Sequence, residues 1–307
     1  MRLAIARLLS AAVVVLGVSA AVFLLVHLVP GDPIDALLGE AAANADRGAL
    51  RHALGLDAPL AVQWWRFVSH AATGDLGTSL GTGRPVAALV AERLPYTAAL
   101  AVAALAVALA IALPLGTLAA LRAGSVFDAL AGAAAMLGAA VPNFLLGPLL
   151  IIVFALWLGW FPIGGADGPR AIVLPALTLG SGLAALLARM IRAALLDVLG
   201  EEHVRAARAR GLAPLAILRR HVFPPAALPI LTVDGAQLGA LLGGAVITET
   251  VFGWPGLGQL AVEAIQRRDY PLVQASVLVI SVSYVVLNTL VDMLYARLDP
   301  RLVNDAD

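Results

Sequence analysis

Glu201-Glu202-His203-Val204-Arg205-Ala206-Ala207-Arg208-Ala209-Arg210-Gly211, continuing through Ala216-Ile217-Leu218-Arg219-Arg220-His221 to Pro224-Pro225, is a polar stretch set between two long apolar runs. Its order of residues reads as helix, glycine break, second short helix, and return to apolar sequence. Glu201 and Glu202 fall in the first turn, where the positive end of the helix dipole favours acids. Arg205 follows Glu201 at i,i+4, a spacing that brings opposite charges together on one face, and Arg208 and Arg210 come later. Ala206, Ala207 and Ala209 keep the helix thin enough to enter a cleft, and Gly211 supplies the left-handed residue that ends it. A second short helix is expected over 213–222, carrying Ile217, with Pro224-Pro225 fixing the start of the next apolar run. Such a rigid peg, joined directly to two apolar helices, tilts them when it is pushed. Order of this kind in a polar loop makes sense when something soluble docks on it.

The surrounding composition says what those helices sit in. Of 307 residues, 61% are hydrophobic and only 13% charged, with a mean hydropathy of +0.93; a soluble domain carries about 25% charged residues. The formal net charge is zero, which gives no electrostatic reason to bind nucleic acid. There is no cysteine, so disulfides, thiolate metal sites and cysteine catalysis are excluded. All 20 basic residues are arginine. Without lysine there is no Schiff-base chemistry and no P-loop of the kind that holds ATP phosphates.

A helix needs about 20 apolar residues to cross the hydrocarbon core. Six stretches meet that length, at roughly 8–30, 96–120, 129–160, 171–190, 226–248 and 272–296. The first resembles a signal peptide, but apolar sequence continues past the length of a signal core, so it reads as a retained helix. With the N-terminus in the cytoplasm, the cytoplasmic segments hold 12 arginines against 7 acids, and the opposite side 8 against 11. The positive-inside rule therefore places both termini and the 201–225 loop in the cytoplasm.

The expected organisation is a first span over 1–30, an external segment over 31–95, a five-helix core over 96–296 that contains the 201–225 loop, and a cytoplasmic tail over 297–307. The external segment opens on Pro30-Gly31-Asp32-Pro33. It contains a short amphipathic helix over 59–68, turns at Gly74-Asp75-Leu76-Gly77 and Gly81-Thr82-Gly83-Arg84-Pro85, and a second short surface helix over 86–94. It is too short for a catalytic domain with its own large core, and a cap over the outer mouth fits it better. A second external element runs over 249–271, with Glu249, Phe252, Trp254, Pro255 and Gly256 as its gate-like residues.

Within the spans, Gly235, Gly239 and Gly243 share one helix face and allow close packing. Pro114, Pro142 and Pro148 are expected to kink or weaken the second and third spans. Asp234 and Asp292 are intramembrane acids, each costing ~2.5–3.5 kcal/mol on insertion scales. Asp292 is close enough to Arg297 for an interfacial pair, whereas Asp234 has two readings: a residue of a water-filled path or a helix–helix hydrogen bond. His27, His52, His70, His203 and His221 lack metal-ligand spacing, so no metal site is expected.

The 201–225 loop resembles the coupling motif of bacterial ABC importer permeases, in the looser form of the dipeptide/oligopeptide/nickel family, carried by Glu202, Ala206, Ala207, Gly211, Ile217 and Leu228-Pro229. It departs from the strict motif, because His203-Val204-Arg205 separates the acid from the alanines. Other segments resemble the same family: His27-Leu28-Val29-Pro30-Gly31-Asp32-Pro33, Gly74-Asp75-Leu76-Gly77 with Ser79, Glu92-Arg93-Leu94-Pro95, Val251-Phe252-Gly253-Trp254-Pro255-Gly256-Leu257-Gly258 and Leu298-Asp299-Pro300-Arg301. Asp234 is not part of that pattern.

The resemblance implies an all-α, six-helix importer permease of the type I ABC fold, of the first permease subunit type, in the bacterial inner membrane. Its partners would be a second permease, two cytoplasmic ATPases, an external binding protein and membrane lipid. ATP and magnesium would be used by the ATPases and no cofactor bound by this chain, which would not itself be an enzyme. Peptides would be the first cargo to test, ahead of nickel and glutathione. Glu201, Glu202, Arg205, Ala206, Ala207, Arg208, Gly211 and Ile217 would form the ATPase-coupling surface. The alternative from a different class is an ion-gradient-driven secondary transporter, which would make Asp234 essential. An intramembrane hydrolase finds no His-Glu-x-x-His motif, and neither Ser181 nor Ser281 has a histidine nearby in sequence.

Overall fold

The computed structural model describes residues 2–28, 48, 52, 55 and 57–298, and within its helices the side chains of Asp234 and Asp292 lie outside the description. The turn expected at Pro30-Gly31-Asp32-Pro33 and the tail beyond residue 298 also fall outside it. Among the described residues the chain is helical, with a single isolated bridge between Thr78 and Pro85. It divides into two compact units, residues 1–97 with 255–286 and residues 98–254 with 287–307.

The first unit holds helix α1 (Arg2–Leu28), helix α2 (Leu60–Ala72), the start of α3 (Val86–Leu121), α10 (Leu257–Gln266) and the start of α11 (Tyr270–Leu298). Its core is built from Val86, Leu89 and Val90 against Leu257, Leu260, Leu272 and Val273. The amphipathic helix expected over 59–68 is α2, with Pro59 just before its first turn. Both expected glycine turns form, with positive φ at Gly74, Gly77 and Gly83. The separate helix expected over 86–94 does not form, because α3 runs without interruption through Pro95.

A carboxylate closes this unit. Asp269, 2% exposed, accepts from the Ser79 hydroxyl at 2.5 Å, from Gly81 N–H at 3.1 Å and from Leu272 N–H at 3.3 Å. Thr82 adds its own hydroxyl and N–H to Ser79 Oγ. The turn at 79–83 is thereby clasped to the start of α11. Nearby Arg84 pairs with Glu92, both side chains about half exposed, and that hydrogen bond holds the guanidinium above its ordinary value.

The second unit is organised around helix α6 (Val173–Leu199), which continues nine residues past the expected span of 171–190. On the rest of α3, Leu100, Ala104, Ala108 and Ala112 repeat every fourth residue and are fully buried, one face of a helix. The two helices touch backbone to backbone. A Cβ added to Gly180 would lie 2.5 Å from the Ala104 carbonyl oxygen, and one on Gly116 would lie 2.6 Å from that of Ala188. Since 104 meets 180 and 116 meets 188, α3 and α6 run in the same direction.

The third expected span is not straight. It consists of α4 (Val126–Ala140) and α5 (Asn143–Leu150), the latter continued by wider π turns over Ile151–Trp157, with a 100° bend between the halves. The break falls at Val141-Pro142: Val141 is extended, as a residue before proline must be. Contacts with α6 run in the opposite sense throughout. Asp128 meets Arg192, Gly138 faces Ala185, and Gly147 approaches Thr178.

The Asp128–Arg192 pair is bidentate at 2.6 and 2.7 Å, and Asp128 also accepts from Gly124 N–H. Helix α9 (Phe223–Phe252) packs on α6 and outlasts the expected 226–248 by four residues, ending at Gly253 with φ +58°. On α9, Gly235 and Gly239 are buried and Gly243 is exposed, with nothing within 4 Å of a Cβ placed there. Among the described residues, two helices are long and apolar enough to cross a membrane, Val86–Leu121 and the Tyr270–Val291 part of α11, or three if the bent pair counts as one.

Candidate functional site

The 201–222 loop leaves α6 through Gly200 and starts a new helix at once. Glu201 is extended and stands at the cap position, so only Glu202 lies in the first turn of helix α7 (Glu202–Ala209). At the far end Gly211 takes φ +74°, its N–H donates to the Arg208 carbonyl at 2.9 Å, and Leu212 N–H reaches the Ala207 carbonyl at 3.4 Å. This pair of bonds is the Schellman closure that a left-handed glycine permits. Pro214 then starts the short helix α8 (Pro214–Ile217), which widens into π turns over Leu218–Val222 and passes directly into α9. The second helix of the peg is therefore continuous with the next long helix, with no separate re-entry.

What seats the loop is apolar. Val204, Ala207, Ile217 and Val222 are all buried and belong to the core cluster of the second unit. Burying a side chain of this size contributes about 1–3 kcal/mol. One polar link adds to this: a ring nitrogen of His203 donates to the His221 carbonyl at 3.0 Å, while the other lies 2.9 Å from the Glu201 carboxylate. The carboxylate partner anticipated for Arg205 is thus taken up by His203.

The outward face stays unspent. Glu202, Arg205, Ala206, Arg208 and Gly211 are exposed, as are Leu212 and Leu215. Among the described residues Arg205, Arg208, Arg210, Arg219 and Arg220 make no ion pair. Behind this face lies a cleft of about 190 Å³ bordered by Leu121, Leu199, Arg208, Leu212 and Ile217.

The other residues singled out by sequence sit differently. Glu249 and Phe252 are in the last turn of α9 and fully or nearly fully buried, and Trp254 is buried too. The Phe252 carbonyl accepts from Gly165 N–H at 2.9 Å and stands where a Cβ on Gly164 would fall. In this chain they pack as core. Pro255 and Gly256 follow in the first unit, with Gly256 at the cap of α10. Asp234 is placed on α9 and nothing further is described of its side chain. No group of three or more metal-binding side chains occurs among the described residues.

Residues 112–304 match the family described as binding-protein-dependent transport system inner membrane component, and residues 1–101 match its N-terminal counterpart. The chain belongs to this family. It is the inner-membrane permease of an ABC importer, and not an enzyme: the ATPase of such a system is a partner subunit, as is the substrate-binding protein. Similar permeases include the glutathione transport system permease of Salmonella paratyphi A, 40% identical over 96% of this chain and 97% of that one. The counterpart in Escherichia coli K12 is 41% identical over 93% of both. Among solved structures, the inward-facing MetNI methionine ABC transporter superposes with a TM-score of 0.58 at 24% identity, covering 69% of this permease and 96% of that chain. An amino acid ABC transporter gives 0.54 at 19%, covering 68% and 94%. Those two likenesses establish the importer-permease fold.

Sequence reasoning missed two polar anchors of the permease, Asp128–Arg192 and the Asp269 clasp. Both partners of the first lie on polar margins of apolar runs, and charges there read as topology signals. Ser79 and Asp269 are 190 positions apart, and nothing local in either segment announces the contact.

Proposed function

We propose that this permease forms one half of a translocation pathway. It has six spans with both termini cytoplasmic, pairs with a second permease, and rests its 201–225 loop on one of two ATPases. The observation that carries the reading is the build of that loop: apolar side chains lock it to α6 and α9, while its arginines, Ala206 and Leu215 face outward without partners. A docking ATPase can push on such a body and move two long helices with it.

The packing of the second unit supports the span count. Helices α3 and α6 are parallel, so one crossing must intervene, and the bent α4–α5 pair travels steadily along α6 in the opposite sense. That progress fits a broken span and not a loop that turns back. The arginine distribution supports the orientation.

ATP and magnesium are taken up by the ATPases, and this chain binds no cofactor. Closure of the ATPases on ATP moves the loop and opens the cavity outward to receive cargo from the external binding protein; hydrolysis resets it. The cargo is a small peptide. The glutathione permeases to which the chain is similar support this, glutathione being a peptide itself.

The test is to tag the C-terminus, solubilise gently, and identify what copurifies by mass spectrometry. Two kinds of partner are expected, a nucleotide-binding subunit and a second permease. The associated binding protein is then screened with glutathione and dipeptides by calorimetry. A chain that purifies alone, even after crosslinking at 201–222, contradicts the reading.

A further inference from the structure

The external helix α2 occupies the place where a solvent-facing cap was expected, and two observations put it elsewhere. The first is where it touches α1. Gln63, Trp64, Phe67, Val68 and Ala71 form its half-buried side, and the Trp64 indole N–H donates to Ser19 Oγ at 3.2 Å. Ser19 is itself buried, its hydroxyl donating to the Leu16 carbonyl. At 1.5 Å per residue Ser19 lies about 13 Å from Leu28 and about 18 Å from Arg7 along α1. The contact therefore falls on the apolar run and not beyond its end, so α2 is held against the span itself.

The second observation is the face that α2 leaves uncovered. None of its 13 residues is fully buried. Beside the packed side, Ala61, Trp65 and Ala72 fall within about 40° of one another at 100° per residue and form an exposed apolar strip. Trp65 is 63% exposed. Arg66, Ser69 and His70 take the far flank, with Val62, 41% exposed, between them. A solvated cap gains nothing from an exposed tryptophan, whereas a helix lying at a bilayer boundary does, because the indole favours the headgroup level.

We propose that α2 is an interfacial anchor in the outer leaflet, with Ala61, Trp65 and Ala72 against phospholipid and Arg66, Ser69 and His70 toward water. The occupant of the strip is the bilayer itself, because the helix is packed on a span whose other exposed residues, Leu9, Val13, Val14 and Leu24, are the lipid-facing kind. The proposal rests on reading α1 as a span. It implies that the external segment steadies α1 in the membrane and does not close over the mouth.

Because the chain has no cysteine, single cysteines can be placed one at a time over 60–72, nitroxide-labelled, and studied in the assembled complex in phosphatidylethanolamine–phosphatidylglycerol nanodiscs. Spin relaxation is read with oxygen, which concentrates among acyl chains, and with water-soluble nickel ethylenediaminediacetate. The expected result is an oxygen maximum at Ala61→Cys, Trp65→Cys and Ala72→Cys, with nickel maxima at Arg66→Cys, Ser69→Cys and His70→Cys, the two profiles severalfold apart and out of phase. Nickel access at 65 equal to that at 66 overturns the proposal in favour of a solvated cap. Low access to both reagents at 61, 65 and 72 overturns it in favour of a covering protein. Labelling of Ala58→Cys by an impermeant maleimide in intact cells checks the α1 reading separately, so that its failure and a wrong placement of α2 give different results.

Discussion

The coupling loop and the Asp269 clasp are both joints between long helices, and they are made in opposite ways. The loop at 201–222 is held by apolar side chains, Val204, Ala207, Ile217 and Val222, and leaves its charges outside. The clasp is held by a buried carboxylate with three donors, and little of its polar capacity remains for anything else. Apolar seating is strong but non-directional, which suits a body that must take force from a partner. Hydrogen bonds to a buried carboxylate are directional, and they suit a junction that must keep its shape. A region that leaves its polar groups unspent is the one to suspect of binding.

The comparison can be broken by mutation. Asp269→Ala should have the largest effect on stability, since it strands the Ser79 hydroxyl and the N–H groups of Gly81 and Leu272. At roughly 1–3 kcal/mol for each buried orphan, Ser79 and Leu272, with the Gly81 N–H exposed to water, the loss is about 2–6 kcal/mol, read as a lower melting temperature of the purified complex. A change too small to measure would remove the distinction. Gly211→Pro comes next: it deletes the N–H bonded to Arg208 and forbids a φ of +74°, a local cost of about 3 kcal/mol. Here the expected outcome is normal membrane insertion with ATP-dependent uptake lost in proteoliposomes.

A matched pair sharpens the point. Val204→Ala should cost about 1–2 kcal/mol in stability by removing buried methyl groups. Arg205→Ala, exposed and unpaired, should cost under about 0.5 kcal/mol yet slow uptake more than Val204→Ala does. The smallest effect is expected from Asp234→Asn, with uptake changed twofold at most; complete loss in an intact complex would instead favour ion coupling.

Much of the loop was legible because its signals are local. Acid at the start, alanines within, glycine at the stop and proline at the restart each act over a turn or less, and the Schellman closure at Gly211 is what that glycine implied. The glycine turns at 74–83 and the amphipathic α2 were legible for the same reason. The break at Val141-Pro142 was legible in part, since a kink at Pro142 is what that proline implied, but its size of 100° was not, and Pro114 and Pro95 occur inside an unbroken helix. Helix α6 continues past the apolar run at 171–190, and Asp128 on α4 takes the charge of Arg192 in that extension. The burial of Glu249, Phe252 and Trp254 was not legible in their outer segment. Phe252 meets Gly164 and Gly165, 88 and 87 positions away, a contact that no local pattern carries.

The measurement that bears most directly on the account is crosslinking from the exposed face of the loop. With Ala206→Cys as the only cysteine of the chain, a short bifunctional reagent should join it to the ATPase subunit of the assembled complex in high yield, with the same residue at Thr250 giving none. Absence of any adduct at 206 in a complex that still transports would contradict the claim that this loop receives the force of ATP hydrolysis.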